Sequence, residues 1–257
     1  MLRSYEPMTM LALVVGALLA HAAGAPAQEA LPPAAELIDR YVAEVGGRDA
    51  ILARDNSRAT GRFEMPAAGI QGTMIVQSAS GRTLTEIEIP GIGRIRSGYD
   101  GEVAWSIDPN LGTRVLEGRE SESMRENANP LSAVRDVSLF SVRETVELTE
   151  MGGEACYRVR LVWNSGRETF DCYSVDTGLL VGQVSTQESP MGAIETVSLL
   201  SDYQEAGGLL MPRRMEQRAF GQVQLVVIDT LEYGVVSPDA FELPDAIRTL
   251  LQAEASR

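Results

Sequence analysis

The sequence predicts a β-rich α+β domain built on an antiparallel sheet of about eleven strands. Three observations carry that prediction. Apolar residues alternate with period two through most of residues 57–107 and 141–236. Gly, Pro or Asp interrupts the runs at short intervals, which suits hairpins and not βαβ crossovers. Helical periodicity is confined to a segment near the start, one mid-chain stretch and the C-terminus.

The first 27 residues read as a signal peptide. Arg3 precedes an apolar run from Met10 to Ala20, and small residues follow, with Ala25-Pro26-Ala27 as the cleavage pattern near Ala27 and Ala20-His21-Ala22 as a second option. The run is shorter than the roughly 20 apolar residues that cross a bilayer. Cleavage after Ala27 leaves a single domain, 28–257, and an exported, periplasmic location. The formal net charge of −14 excludes nucleic acid as a partner and disfavours anionic headgroup surfaces.

Two compositional features restrict the chemistry. The sole histidine, His21, leaves with the signal, and all 22 basic residues are arginine. A mature chain without His cannot build a Ser-His-Asp or Cys-His pair or a His-ligated zinc site. Without Lys it has no Schiff-base lysine and no phosphate-loop lysine. No catalytic residue, metal site or cofactor is expected. Cys156 and Cys172, in an oxidising compartment, read as a disulfide.

Pro32-Pro33 precedes AAELIDRYVAEV (34–45), whose Leu37, Ile38, Tyr41, Val42 and Val45 fall at helical spacing. Gly46-Gly47 stops that helix, and 48–53 adds a turn. Strands are expected at 58–65, 70–78, 82–89, 92–98 and 102–107, with Tyr99-Asp100-Gly101 as the sharpest turn. Glu86 and Glu88 alternate with Ile87 and Ile89 and read as a solvated strand face. Residues 108–136 are polar and helix-prone, an insert between two strand blocks. In the second block Tyr157, Val159, Leu161 and Trp163 alternate with Cys156, Arg158 and Arg160. Asn164-Ser165-Gly166 turns the chain back into 168–175. If Cys156 and Cys172 are directly opposed there, their Cα atoms lie about 5 Å apart. Strands follow near 179–188, 193–204, 209–219 and 222–234, with Arg213 and Arg214 as strand surface. A helix from Asp245 to Gln252 closes the chain.

GYDGEVAWSIDPNLG (98–112), YSVDTGLLV (173–181) and SPDAFELP (237–244) resemble short signatures of the LolA/LolB-like outer-membrane lipoprotein-sorting superfamily. The order of elements over residues 33–252 resembles it as well. The resemblance implies an unclosed β-barrel covered by an N-terminal helix, a mid-chain helical insert and a C-terminal helix. It implies an apolar cavity holding a lipid or a lipoprotein acyl chain, hence a non-catalytic carrier in transient contact with membranes. The cavity residues expected are Ile87, Ile89, Val103, Trp105, Tyr157, Val159, Leu161, Trp163, Leu225 and Val227. The alternative is an envelope sensor or protein-interaction module, with an envelope protein as partner. A cryptic hydrolase ranks last, because the histidine is missing.

Overall fold

The computed structural model describes residues 30–189 and 192–256. The expected signal peptide, residues 1–27, lies outside them. Helix α1 (Ala34–Val45) starts after Pro33 and buries Leu37, Ile38 and Val45. It ends at Gly46, whose φ of +136° and close approach to Leu209 leave no room for a side chain. Helix α2 (Arg48–Leu52) follows.

Six strands come next: β1 (Ser57–Met65), β2 (Ile70–Ala79), β3 (Arg82–Ile89), β4 (Gly93–Tyr99), β5 (Ala104–Asp108) and β6 (Gly112–Val115). Strand β6 lies inside the stretch expected to be helical. A four-residue strand in polar surroundings leaves no alternation to read. The Asp-Gly turn is also wider than a two-residue hairpin, because Tyr99 pairs with Ala104. Asp100 organises it, its Oδ1 accepting from the Glu102 and Val103 amides at 2.8 and 2.7 Å. Gly101 takes φ +111°, and the Tyr99 hydroxyl donates to its carbonyl at 2.7 Å.

The insert holds α3 (Gly118–Ala128) and two 3₁₀ turns, Pro130–Val134 and Val137–Leu139. Seven strands follow: β7 (Phe140–Met151), β8 (Glu154–Trp163), β9 (Glu168–Ser174), β10 (Leu180–Ser189), β11 (Gly192–Ala206), β12 (Leu209–Ala219) and β13 (Gln222–Tyr233). Helix α4 (Asp245–Ala255) closes the chain.

All thirteen strands form one antiparallel sheet in the order β6-β5-β4-β3-β2-β1-β13-β12-β11-β10-β9-β8-β7. Two meanders are thus joined by pairing the first strand to the last. The sheet does not close, because β6 and β7 remain edges. It must nevertheless curl. Helix α3 has 11 residues and is about 16 Å long, yet it lies beside both β5 and β10. Those strands are eight places apart in the sheet, about 38 Å if it were flat. The face toward α3 is therefore the inner one.

Directly opposed residues of an antiparallel pair share a face, so register assigns every strand residue. The inner face of the second meander carries Val159, Leu161 and Tyr173 beneath Leu37 and Ile38 of α1. Tyr99 and Ala104 meet α3 through Met124 and Ala128. Helix α4 takes the other side of the sheet, where Ile247 packs with Leu84, Trp105 and Phe241.

The cysteines are bridged, with Cα atoms 5.5 Å apart. They are not directly opposed: Cys156 pairs with Ser174, and Cys172 with Arg158. The bridge is a diagonal on the outer face, fully buried beneath Met151.

Candidate functional site

The ten residues expected to line one cavity fall into separate groups. Ile87 and Ile89 join Phe63, Met74, Ile95, Val226 and Ile228 in an apolar cluster on the inner face. Its members come from strands alone, and Met65, Ile70, Ile87, Ile95, Val226 and Ile228 are only half-buried. Tyr157, Val159, Leu161 and Trp163 share that face but pack under α1 in the second meander. Val103 and Trp105 belong to the outer face and pack against α4. Leu225 and Val227 are out of phase: they oppose Glu64 and Arg62, whereas Val226 opposes Phe63. Four successive apolar residues, Leu225 to Ile228, give no alternation from which to read a phase. The structure replaces Leu225 and Val227 with Val226 and Ile228 on the inner face.

A buried polar centre lies beside the α1 cluster. Asp171 on β9 is fully buried. Its Oδ2 accepts from Arg135 Nε at 2.6 Å and from the Tyr173 hydroxyl at 2.9 Å, and its Oδ1 accepts from Gln183 Nε2 at 2.8 Å. Arg135 ends the first 3₁₀ turn of the insert in the left-handed region, φ +48°, so the ion pair ties the insert to the sheet. Burial works against the Arg135 charge, but Asp171 outweighs it and holds the guanidinium protonated. Burial also raises the phenols of Tyr41, Tyr173 and Tyr203. Tyr41 lies against Tyr173, ring centroids 5.5 Å apart. Tyr203 donates to the Leu180 carbonyl at 2.7 Å. With three donors on its two oxygens, Asp171 is an anchor and not a base available to a substrate. Neither Arg135 nor Asp171 is singled out by spacing or composition, since 36 residues separate them.

A recess of about 330 Å³ opens between α3 and the β8–β9 turn. Arg119, Glu122, Arg167, Glu168 and Thr186 are among the residues lining it. Arg167 is already committed: its Nε donates to Glu126 at 2.7 Å and its guanidinium stacks on Trp163 at 4.4 Å. On the outer face Arg158 pairs with Glu147 and stacks on the Phe170 ring at 4.4 Å, and Arg160 pairs with Glu144 and Glu168. Glu86 and Glu88 likewise face Arg96 and Arg94. Arg213 departs from the expected strand surface: Arg214 is exposed, but Arg213 turns inward, with Nε and Nη1 shielded from solvent.

No family model matches the chain, and no curated protein sequence does. Solved structures do. A LolA superfamily protein from Nitrosomonas europaea superposes with a TM-score of 0.55 at 13% identity, covering 83% of this chain and 99% of that one. A DUF1329 family protein from Desulfovibrio piger gives 0.52 at 14% identity, covering 82% and 98%. A putative outer membrane lipoprotein-sorting protein domain from Vibrio parahaemolyticus gives 0.52 at 12% identity, covering 84% and 97%. At such identities the likeness concerns fold. Among the described residues, the unclosed thirteen-stranded sheet with four helices is a LolA-like fold.

Proposed function

We propose that the mature chain is an exported, non-catalytic carrier that holds a lipid or a lipoprotein acyl chain against its inner apolar face. One observation carries this reading. The cluster around Phe63, Met74 and Ile89 is apolar, half-buried, made of strands alone, and lies on the inside of an unclosed sheet. Pockets lined by apolar side chains with a few polar groups are the usual form of a site for an apolar ligand. Ile87 and Ile89 are the sequence-derived residues that belong to this site; Val226 and Ile228 complete it. The N-terminal sequence, with its apolar run and Ala25-Pro26-Ala27, supports export to the periplasm. The fold shared with a lipoprotein-sorting domain is consistent with both.

Mass spectrometry of lipids extracted from the purified protein tests the reading. A stoichiometric lipid, or displacement of a fluorescent fatty acid, is the expected result. Recovery of ligand-free protein that displaces nothing would sink it. A second reading, an envelope interaction module, is favoured by β7. This edge strand exposes Val146 and Leu148 beside an unpaired backbone. A stoichiometric partner in envelope pull-downs, with no lipid bound, would select it.

A further inference from the structure

Three strand arginines point to the inner face: Arg114, Arg143 and Arg213. Arg114 meets Glu120 of α3 at 3.2 Å. Arg143 donates to the Arg135 carbonyl at 3.3 Å. Arg213 has neither a carboxylate nor a hydrogen-bond acceptor among the described residues, and its Nε and Nη1 are both out of reach of solvent. A guanidinium cannot escape by losing its proton. Buried donors without partners are rare in folded proteins and call for an explanation.

The surroundings of Arg213 suggest what completes it. Met211 and Met215, two residues to either side on β12, belong to the apolar clusters beneath α2 and α1. Arg214 pairs with Val227, so Arg213 lies next to Ile228 on the inner face. From Ile228 a row of directly opposed residues crosses the sheet: Gly61, Met74, Ile87 and Ile95. Five adjacent strands span about 19 Å, a length suited to a long acyl chain. The Tyr233 hydroxyl is a further buried group without a partner. Tyr233 and Met211, the latter two residues from Arg213, pack against the same cluster under α2, which puts the phenol at the Arg213 end of the row; burial raises it, and the charges of Arg54 and Arg213 counter that rise. Among the other charges nearby, Asp202 lies across from Arg213 in the β11–β12 register, but it is exposed, accepts from Gln204 Nε2 at 2.9 Å and makes no ion pair with Arg213. Arg54 donates to the Ala50 carbonyl at 3.1 Å, and Glu205 accepts from the Gly208 amide at 2.6 Å.

We propose that Arg213, with the Tyr233 hydroxyl, is the headgroup subsite for an anionic amphiphile whose chain lies along the row from Ile228 to Ile95. A carboxylate or phosphate fits the fork of a guanidinium and supplies the acceptors that Arg213 and Tyr233 lack. The inference rests on the carrier reading and narrows it to ligands with an anionic head.

Calorimetric titration of the mature protein with palmitate, hexadecanol and butyrate tests it. The wild type should bind palmitate about tenfold or more tightly than hexadecanol. Arg213→Gln should remove that preference, leave hexadecanol affinity unchanged, and give ligand-free protein with an equal or higher Tm, because an unpartnered charge has been neutralised. Tyr233→Phe should weaken palmitate alone, and less strongly. A parallel titration with phosphatidic acid and diacylglycerol reports whether phosphate is the preferred head; the same pattern there also meets the proposal. Equal affinity of the wild type for acid and alcohol overturns the subsite but leaves the carrier reading intact. So does an equal loss of both ligands in Arg213→Gln. Butyrate binding as tightly as palmitate overturns the amphiphile. Binding of none of these ligands overturns the carrier reading and the subsite together.

Discussion

Asp171 and Arg135 form the most demanding contact in the protein at the scale of single residues. The Asp171 side chain is wholly buried and that of Arg135 is 12% exposed. Removing one member of such a pair strands the other charge in a medium that solvates it poorly. Asp171→Asn should therefore cost about 3–5 kcal/mol, read as a shift of the urea midpoint at constant slope. A loss as small as that of an exposed surface pair would mean that water reaches Arg135. Asp136, one residue on, behaves differently. Its carboxyl accepts from the Ser138 hydroxyl at 2.6 Å, from the Ser138 amide at 2.9 Å and from Arg48. These contacts hold it down at about 2, below its ordinary 3.8. A carboxyl depressed in the folded state stabilises the protein fully above its unfolded value, and that contribution fades as pH falls toward the folded one. The stability gap between wild type and Asp136→Asn should be largest near neutrality and shrink between about pH 4 and pH 2. A gap that does not vary with pH would contradict this origin.

Among the elements, α1 and α4 attach to opposite faces of the sheet, and their core residues should respond differently. Ile247 of α4 is fully buried on the outer face. Ile247→Ala should cost about 2–5 kcal/mol while leaving acyl-chain affinity unchanged, because the proposed site lies on the other side. The Cys156–Cys172 bridge closes a loop with a sequence separation of 16. Replacing both cysteines with alanine should lower stability by about 3 kcal/mol. Thiol labelling of unreduced, denatured protein should find no free thiols, and two per chain would exclude the bridge. These elements also show where the sequence is readable. Leu37, Ile38 and Val45 announce α1 because a helix with one buried face imposes its own period. The Cys pair is legible because two strands and a three-residue turn bring them together, although the register is offset from direct opposition. Strand β13 is not legible in phase, since Leu225-Val226-Val227-Ile228 is apolar on both faces and a register shift between Thr60 and Gly61 intervenes. Arg213 is hidden for a related reason: beside Arg214, its charge reads as surface, and only the pairing of β12 with β13 turns it inward.

For the molecule as a whole, the unclosed sheet leaves two edges, β6 and β7, and the charge distribution guards one of them. Strand β7 has 12 residues, a length that would ordinarily invite pairing with another chain. Val146 and Leu148 are exposed on it, flanked by the exposed Glu144, Glu147 and Glu150. Two of these glutamates reach back to Arg160 and Arg158 on β8. All three present negative charge to an approaching copy whose own edge is equally acidic, within a chain of net charge −14. Like charges directly opposed across a strand pair are destabilising. The glutamates therefore disfavour pairing between copies at this edge. The triple variant Glu144→Gln, Glu147→Gln, Glu150→Gln should keep the wild-type far-ultraviolet spectrum and the same bound lipid, because all three lie on β7 whereas the inner apolar cluster is built from β1–β4 and β13. It should nevertheless self-associate with increasing concentration, seen by light scattering under conditions where the wild type does not. High salt should push the wild type toward the same behaviour, since screening weakens repulsion between exposed charges. If the variant scatters as the wild type does at every concentration and salt level, the edge is protected by its shape and not by its charge.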